Sequence, residues 1–327
     1  MNWKRWTALG VVAGLLIIST ITNLAVGLAS MDFDDYVSSD FSETTIQEGT
    51  EGKLVVLNLS GVIQDVGSQG LFGSDMYDHQ AFLTQIKSAG EDPTVDGIVI
   101  RVDTPGGGVL ESAEIHDRIT EAQELHDKPV YISMGNMAAS GGYYIAAPAD
   151  RIVASPNTIT GSIGVIMESI NFTEFAENYG VTFNTIKSGP FKDIMSPYKE
   201  MSDEEREILQ SMVDESYDEF VRIISDGRDM DENEVRDIAD GRIYSGNQAL
   251  ENGLVDDLGD LEDTIGFLSE ELGGGEYQVV TYDYAAGMYD FFGMTAQKLF
   301  GPDPEITMLQ KLIFENRAPS LKYLYAE

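Results

Sequence analysis

Hydrophobic and polar positions fall into distinct regimes along this chain. The first is an apolar run without a charged residue from about Thr7 to Ala29, preceded by Lys4 and Arg5 and followed by Asp32, Asp34 and Asp35. At a helical rise of ~1.5 Å per residue, about 22 apolar residues span a hydrocarbon core of ~30 Å. Positive charge before the run and negative charge after it predict a cytoplasmic N-terminus with the rest of the chain outside the cytoplasmic membrane. A cleaved signal peptide is the competing reading, because Gly27-Leu-Ala29 resembles a small-residue cleavage site. The run exceeds a usual h-region of about 7–15 residues, which favours an uncleaved anchor within residues 1–30. Residues 31–51, rich in Ser, Thr, Asp and Glu, read as a polar linker.

From residue 52 the pattern becomes that of a folded domain. Short runs of β-branched and apolar residues at 53–59, 97–102 and 129–134 predict buried strands, and further short strands are expected at 151–154, 163–168 and 181–187. Helices are expected over 78–90, 110–126 and the glycine-flanked segment 140–147. Ser202 opens a clear helix, with Ser202-x-x-Glu205 as a capping box and Ile208, Leu209, Met212, Val213, Phe220, Val221 and Ile224 at helical spacing. Gly227 is its expected stop. Strands alternating with helices argue an α/β fold. Gly273-Gly-Gly275 marks a domain boundary, so the domain is expected at 52–273 and a C-terminal appendage at 274–327.

Charge narrows the function. With 56 acidic against 20 basic residues the formal net charge is −36, which opposes nucleic-acid partners. The acidic residues are scattered, as on a solvated surface suited to a salty or alkaline medium. The stretch Asp226 to Glu234 suggests calcium but lacks EF-hand spacing. The chain has no cysteine, which removes disulfides and thiolate chemistry. His79, His116 and His126 form no HExxH pattern, so no metal site and no cofactor are expected.

Two glycine turns carry the candidate chemistry. Asp103-Thr-Pro-Gly-Gly-Gly108 follows a predicted strand, and its exposed N–H groups suit an anion or an oxyanion, or form no more than a tight turn. In Met137-Ala-Ala-Ser140-Gly-Gly-Tyr-Tyr144 a serine sits at a strand-to-helix junction, as a nucleophile or as an ordinary N-cap. The Gly141 N–H that follows could serve an oxyanion hole. Every histidine precedes Ser140, and His116 and His126 share one amphipathic helix, which argues against a histidine base. A lysine can act instead where a dry site disfavours its charged form. Lys187, Lys192 and Lys199 are the candidates, and spacing alone does not choose among them; Phe191 and the Gly-Pro turn before Lys192 could carry its amine inward. Ser196-Pro-Tyr-Lys199 has the SxxK form, but neither SDN nor KTG accompanies it.

Together these segments resemble the signal peptide peptidase A (SppA) family, in its single-length Gram-positive form. The match runs through Arg101–Gly108, Met137–Tyr144, Thr160-Gly-Ser-Ile-Gly-Val165, Ile186–Ile194 and Ala239–Asp256, in order over roughly residues 52–260. The resemblance implies a ClpP/crotonase-like fold of stacked ββα units and a Ser/Lys dyad. By motif, Ser140 is then the nucleophile, Lys192 the base, Ser162 the hydroxyl that orients the lysine, and Gly107 an oxyanion donor, with Gly141 added here as a second. It also implies a homo-octameric ring with inward-facing sites and peptide substrates such as signal-peptide remnants. Crotonase chemistry on acyl-CoA, another membrane Ser/Lys peptidase with a specific protein substrate, and a non-catalytic scaffold are the competing classes. The terminal Leu321-Lys-Tyr-Leu-Tyr-Ala-Glu327 could dock in the groove as a substrate mimic, fray, or pack on a neighbouring subunit.

Overall fold

A computed structural model of the chain describes residues 41–65, 77–284 and 321–325. The apolar run at 7–29 lies outside these residues, and no helix among them is long and apolar enough to cross a membrane. The site and the core lie in one compact unit, formed by residues 43–282 together with the terminal segment.

The strands are β1 (Phe41–Gln47), β2 (Lys53–Ser60), β3 (Val95–Thr104), β4 (Gly106–Gly108), β5 (Val130–Ala139), β6 (Arg151–Ala154), β7 (Ile159–Gly161), β8 (Ile243–Ser245), β9 (Asp257–Leu258), β10 (Gln278–Tyr284) and β11 (Lys322–Leu324). The helices are α1 (His79–Glu91), α2 (Val109–Glu124), α3 (Gly141–Ala146), α4 (Thr173–Asn178), α5 (Asp203–Arg228), α6 (Glu232–Ile238), α7 (Gly246–Glu251) and α8 (Leu261–Glu271). The main sheet runs in the order β1-β10-β2-β3-β5-β6-β9, with β7 paired to β5 and β8 to β7; β4 and β11 form a separate two-stranded ladder.

The centre of the sheet is parallel, β2 to β3 to β5 to β6. Its strands are buried on both faces along their apolar runs, as a covered parallel sheet requires. Ile98, Val99, Ile100 and Val102 of β3 are all fully buried. Helices α1 and α2 are the crossovers between β2, β3 and β5. Helix α8 contributes Leu268 to a cluster with Leu54, Val56, Val99, Tyr131 and Val279. Gly97 permits that approach, because a Cβ there would stand 3.0 Å from a Leu268 methyl.

Several expectations meet a different structure. Strand β1 lies in the stretch read as linker, and β10 lies in the stretch read as appendage, where Gln278–Thr281 pair in parallel with Lys53–Val56. The Gly273-Gly-Gly275 turn, all at positive φ, leads the chain back into the sheet. No strand forms over 181–187, and 163–168 contributes only a bridge at Ile166. Helix α5 carries both hydrogen bonds of the Ser202/Glu205 capping box but runs past Gly227 to end at Asp229, φ 50°. Gly227 serves packing instead: a Cβ there would fall 2.2 Å from the Ala147 carbonyl oxygen.

Candidate active site

Strand β5 ends at Ser140, where the backbone turns sharply into α3. Ser140 has φ 54° and ψ −113°, a strained geometry for a residue with a Cβ. Surrounding backbone bonds hold it there. Its N–H donates to the Gly161 carbonyl at 2.8 Å, and its carbonyl accepts from Tyr143 and Tyr144, each at 2.9 Å. Its side chain makes no cap to the helix, so the ordinary N-cap role is not the one it plays. The residue is 1 % exposed, and its Oγ has no hydrogen-bond partner. A buried hydroxyl without a partner costs about 1–3 kcal/mol and calls for an explanation.

Ser162 lies beside it. Ala139 of β5 pairs with Gly161 of β7, so the residues after each strand are neighbours. Ser162 is likewise at positive φ, 51°, and buried; its N–H donates to the Arg242 carbonyl at 2.8 Å.

The glycine turn forms the opposite wall. Ile63 takes the Gly108 N–H at 2.8 Å and donates to the Gly106 carbonyl at 2.9 Å. In such a ladder the intervening Gly107 turns its own polar groups the other way, toward β11. Glycine is required here: a Cβ on Gly107 would lie 1.8 Å from the Ile63 oxygen. A Cβ on Gly106 would stand 2.7 Å from the Gly141 nitrogen and 2.2 Å from the Tyr323 carbonyl oxygen. One on Gly141 would stand 3.1 Å from both the Gly107 nitrogen and that same oxygen. The Tyr323 carbonyl therefore sits against the glycine amides beside Ser140.

The terminal segment occupies this groove, so the docked alternative is the one observed. Lys322, Tyr323 and Leu324 pair antiparallel with Gly108, Gly107 and Gly106. On its other edge Lys322 exchanges two backbone hydrogen bonds of 3.1 Å with Ile166. An extended peptide held on both edges is strand addition, in which the backbone supplies affinity and alternate side chains supply specificity. The Tyr323 side chain fills a pocket that patterning alone did not reveal. It is fully buried, stacked on Tyr144 at 4.9 Å and tilted on Phe220 at 4.7 Å, with its hydroxyl donating to the Ser216 carbonyl at 2.8 Å. Burial pushes the phenols of Tyr323 and Tyr144 well above the ordinary tyrosine value. The apolar stripe of α5 and the Tyr143-Tyr144 pair were the available signals for this pocket.

The three lysines are separated by their partners. Lys187 pairs with Asp193 at 2.7 Å, and Lys199 pairs with Asp193 at 2.9 Å and with Glu205. The Lys187 and Lys199 ammoniums hold the Asp193 carboxyl down to about 2. Lys192 lies in a turn where its N–H donates to Gly189 at 3.3 Å. Phe191 and Lys192 are both exposed, so within a single chain the Gly-Pro turn does not carry the amine inward, and no hydrogen bond joins it to Ser140. His116 is remote in role, packing edge-on against Tyr144. Asp231 of the acidic stretch caps α6 through the Asn233 N–H at 2.8 Å.

The profile of Peptidase family S49 matches residues 122–273. An Enterococcus faecium protein named as a signal peptide peptidase SppA is 44% identical over 293 residues, which cover 86% of this chain and 85% of that protein. The chain belongs to the SppA family of serine peptidases. A protease of Methanocaldococcus jannaschii is 35% identical over 69% of this chain and 72% of its own length. Protease 4 of Salmonella typhi is 37% identical over 68% of this chain but only 35% of its own length. The mixed α/β architecture around a central sheet fits the ClpP/crotonase-like form expected of an SppA peptidase.

Proposed function

We propose that this SppA-family enzyme is a membrane-anchored endopeptidase that cuts apolar peptides, among them signal-peptide remnants, outside the cytoplasmic membrane. Residues 1–30 would supply the anchor, with the N-terminus cytoplasmic. The carrying observation is the terminal strand, which lies in the groove as a peptide substrate would, with its Tyr323 carbonyl against the Gly107 and Gly141 nitrogens.

In this reading Ser140 attacks a peptide carbonyl placed where that of Tyr323 lies. Neutral Lys192 takes the Ser140 proton. The Gly107 and Gly141 N–H groups stabilise the oxyanion, a contribution worth about 10²–10³ in rate per donor. The C–N bond then breaks, and Lys192 gives the proton to the leaving amine. Water, deprotonated by the same amine, releases the acyl group. Ser162 orients the lysine. The pairing of Lys187 and Lys199 elsewhere supports Lys192 as the base.

The exposure of Lys192 supports a base delivered to a neighbouring copy in a homo-oligomeric ring of eight subunits. In the segment that precedes it, Ile170, Phe175, Tyr179, Phe183 and Ile186 are all exposed. Such a density of exposed large apolar side chains within one segment is what a subunit interface buries. Enclosure there would exclude water from the amine, as a lysine base needs.

The test combines a serine-reactive probe with synthetic signal peptides whose cut sites are read by mass. The enzyme should label and cleave, Ser140→Ala should do neither, and Lys192→Ala should lose cleavage. Full cleavage by Lys192→Ala would remove the dyad from the account.

A further inference from the structure

Asp193 follows Lys192 directly and draws to itself the other two lysines of the segment. Its Oδ1 lies 2.7 Å from Lys187 Nζ and 2.9 Å from Lys199 Nζ. Lys187 also donates to the Pro190 carbonyl at 2.7 Å, closing the turn that precedes Lys192. Lys199 reaches on to Glu205, a buried carboxylate that accepts the Ser202 N–H at 3.0 Å in the capping box of α5. A continuous chain of contacts thus ties the Lys192 turn to the N-terminus of α5. The same helix supplies Ser216 and Phe220 to the Tyr323 pocket.

We infer that Asp193 is a positioning residue for the reaction: it fixes the turn at 189–195 on the end of α5 and, by engaging Lys187 and Lys199, leaves the Lys192 amine as the one unpaired among the three. The inference rests on Lys192 being the base. An ion-pair cluster with a purely structural role would contribute little at such a surface and would leave the chemistry unmoved. A positioning role ties it to the reaction, because a base displaced by about 1 Å can cost 10²-fold in rate.

The charges in this chain of contacts are Lys187 and Lys199 against Asp193 and Glu205, and Glu200, Asp203, Glu204 and Arg206 lie in the same stretch of sequence. Replacing Asp193 by Asn leaves an excess positive charge beside Lys192, which disfavours another ammonium. Replacing Lys187 by Gln does the opposite.

The test measures kcat, KM and the pH of half-maximal kcat/KM on a fluorogenic peptide with the assembled full-length enzyme. Asp193→Asn should lower kcat about tenfold or more with KM little changed and move the pH midpoint down; Asp193→Glu should restore most of kcat. Lys187→Gln should move the midpoint up, a pair of opposite shifts that loss of fold does not produce. If Asp193→Asn fails to assemble, the other two variants decide. An unmoved midpoint in Lys187→Gln, or near-parental kcat in Asp193→Asn, would overturn the positioning role while Lys192→Ala stayed inactive. Full activity in Lys192→Ala would instead overturn the base assignment.

Discussion

Tyr323 lies opposite Gly107 in an antiparallel ladder, so the chain's own terminal segment occupies the cleft that contains Ser140. A tethered occupant competes at an effective concentration that can reach the millimolar range. Deleting residues 321–327, or replacing Tyr323 by Ala, should lower KM for an added apolar peptide by roughly tenfold and leave kcat nearly unchanged. Steady-state kinetics on a short fluorogenic peptide check this.

The pocket that holds Tyr323 predicts side-chain preference. Tyr144 and Phe220 enclose the ring, and aromatic burial of this kind contributes about 0.5–1.5 kcal/mol beyond the area term. Peptides with Tyr or Phe at the cut position should be favoured over those with Asp or Lys. Phe220→Ala should lower kcat/KM for the aromatic peptides by about tenfold or more, with less effect on peptides bearing Ala there. Competition between peptide pairs, read by mass, distinguishes these outcomes.

Ser140 combines a buried unpaired hydroxyl with positive φ, and both oppose stability. Ser140→Ala removes the first while the fold is kept, so it should be inactive and at least as stable as the parent, by up to about 1 kcal/mol. Thermal unfolding of the two proteins measures the difference. A marked loss of Tm in the variant would show that the hydroxyl has a structural partner.

Gly107 tolerates no side chain, since a Cβ would meet the Ile63 oxygen at 1.8 Å. Gly107→Ala should displace the turn and lower kcat by about 10²-fold or more, the scale of a lost oxyanion donor. Circular dichroism run beside the kinetics separates this from unfolding.

Acid should weaken the tie between the Lys192 turn and α5. Asp193 is held at about 2 by its Lys187 and Lys199 partners, against about 3.9 for an unfolded carboxyl. Because the folded value is depressed, its stabilising contribution is complete above the unfolded value and fades as pH falls from about 4 to about 2. Asp240, held at about 2 by Arg242, behaves alike. The loss of Tm between pH 5 and pH 3 should be smaller in Asp193→Asn than in the parent.

Much of this was legible in the residues, and the gaps have physical causes. The Val/Ile run of β3 shows a strand buried on both faces, and Ser202-x-x-Glu205 announces α5 because each side chain meets the other's backbone. The run at 181–187 misled because a short stretch with a few apolar residues reads as a strand, yet Val181, Phe183 and Ile186 stay exposed and no strand forms there. Strand β10 was hidden behind three glycines that resemble a boundary, yet reverse the chain into the sheet. Spacing left three lysines equivalent, whereas folding gives two of them to Asp193. The Tyr323 pocket joins residues from α3, α5 and the terminal strand, a juxtaposition that no local pattern encodes.

Mixing two inactive variants tests the central claim most directly. In a co-assembled mixture of Ser140→Ala and Lys192→Ala, an intact serine can meet an intact lysine only across a subunit boundary. The account predicts that each variant alone is inactive and that the mixture regains peptidase activity. A mixture that forms the same assembly yet stays inactive, or a Lys192→Ala enzyme that cuts peptides unaided, would contradict it.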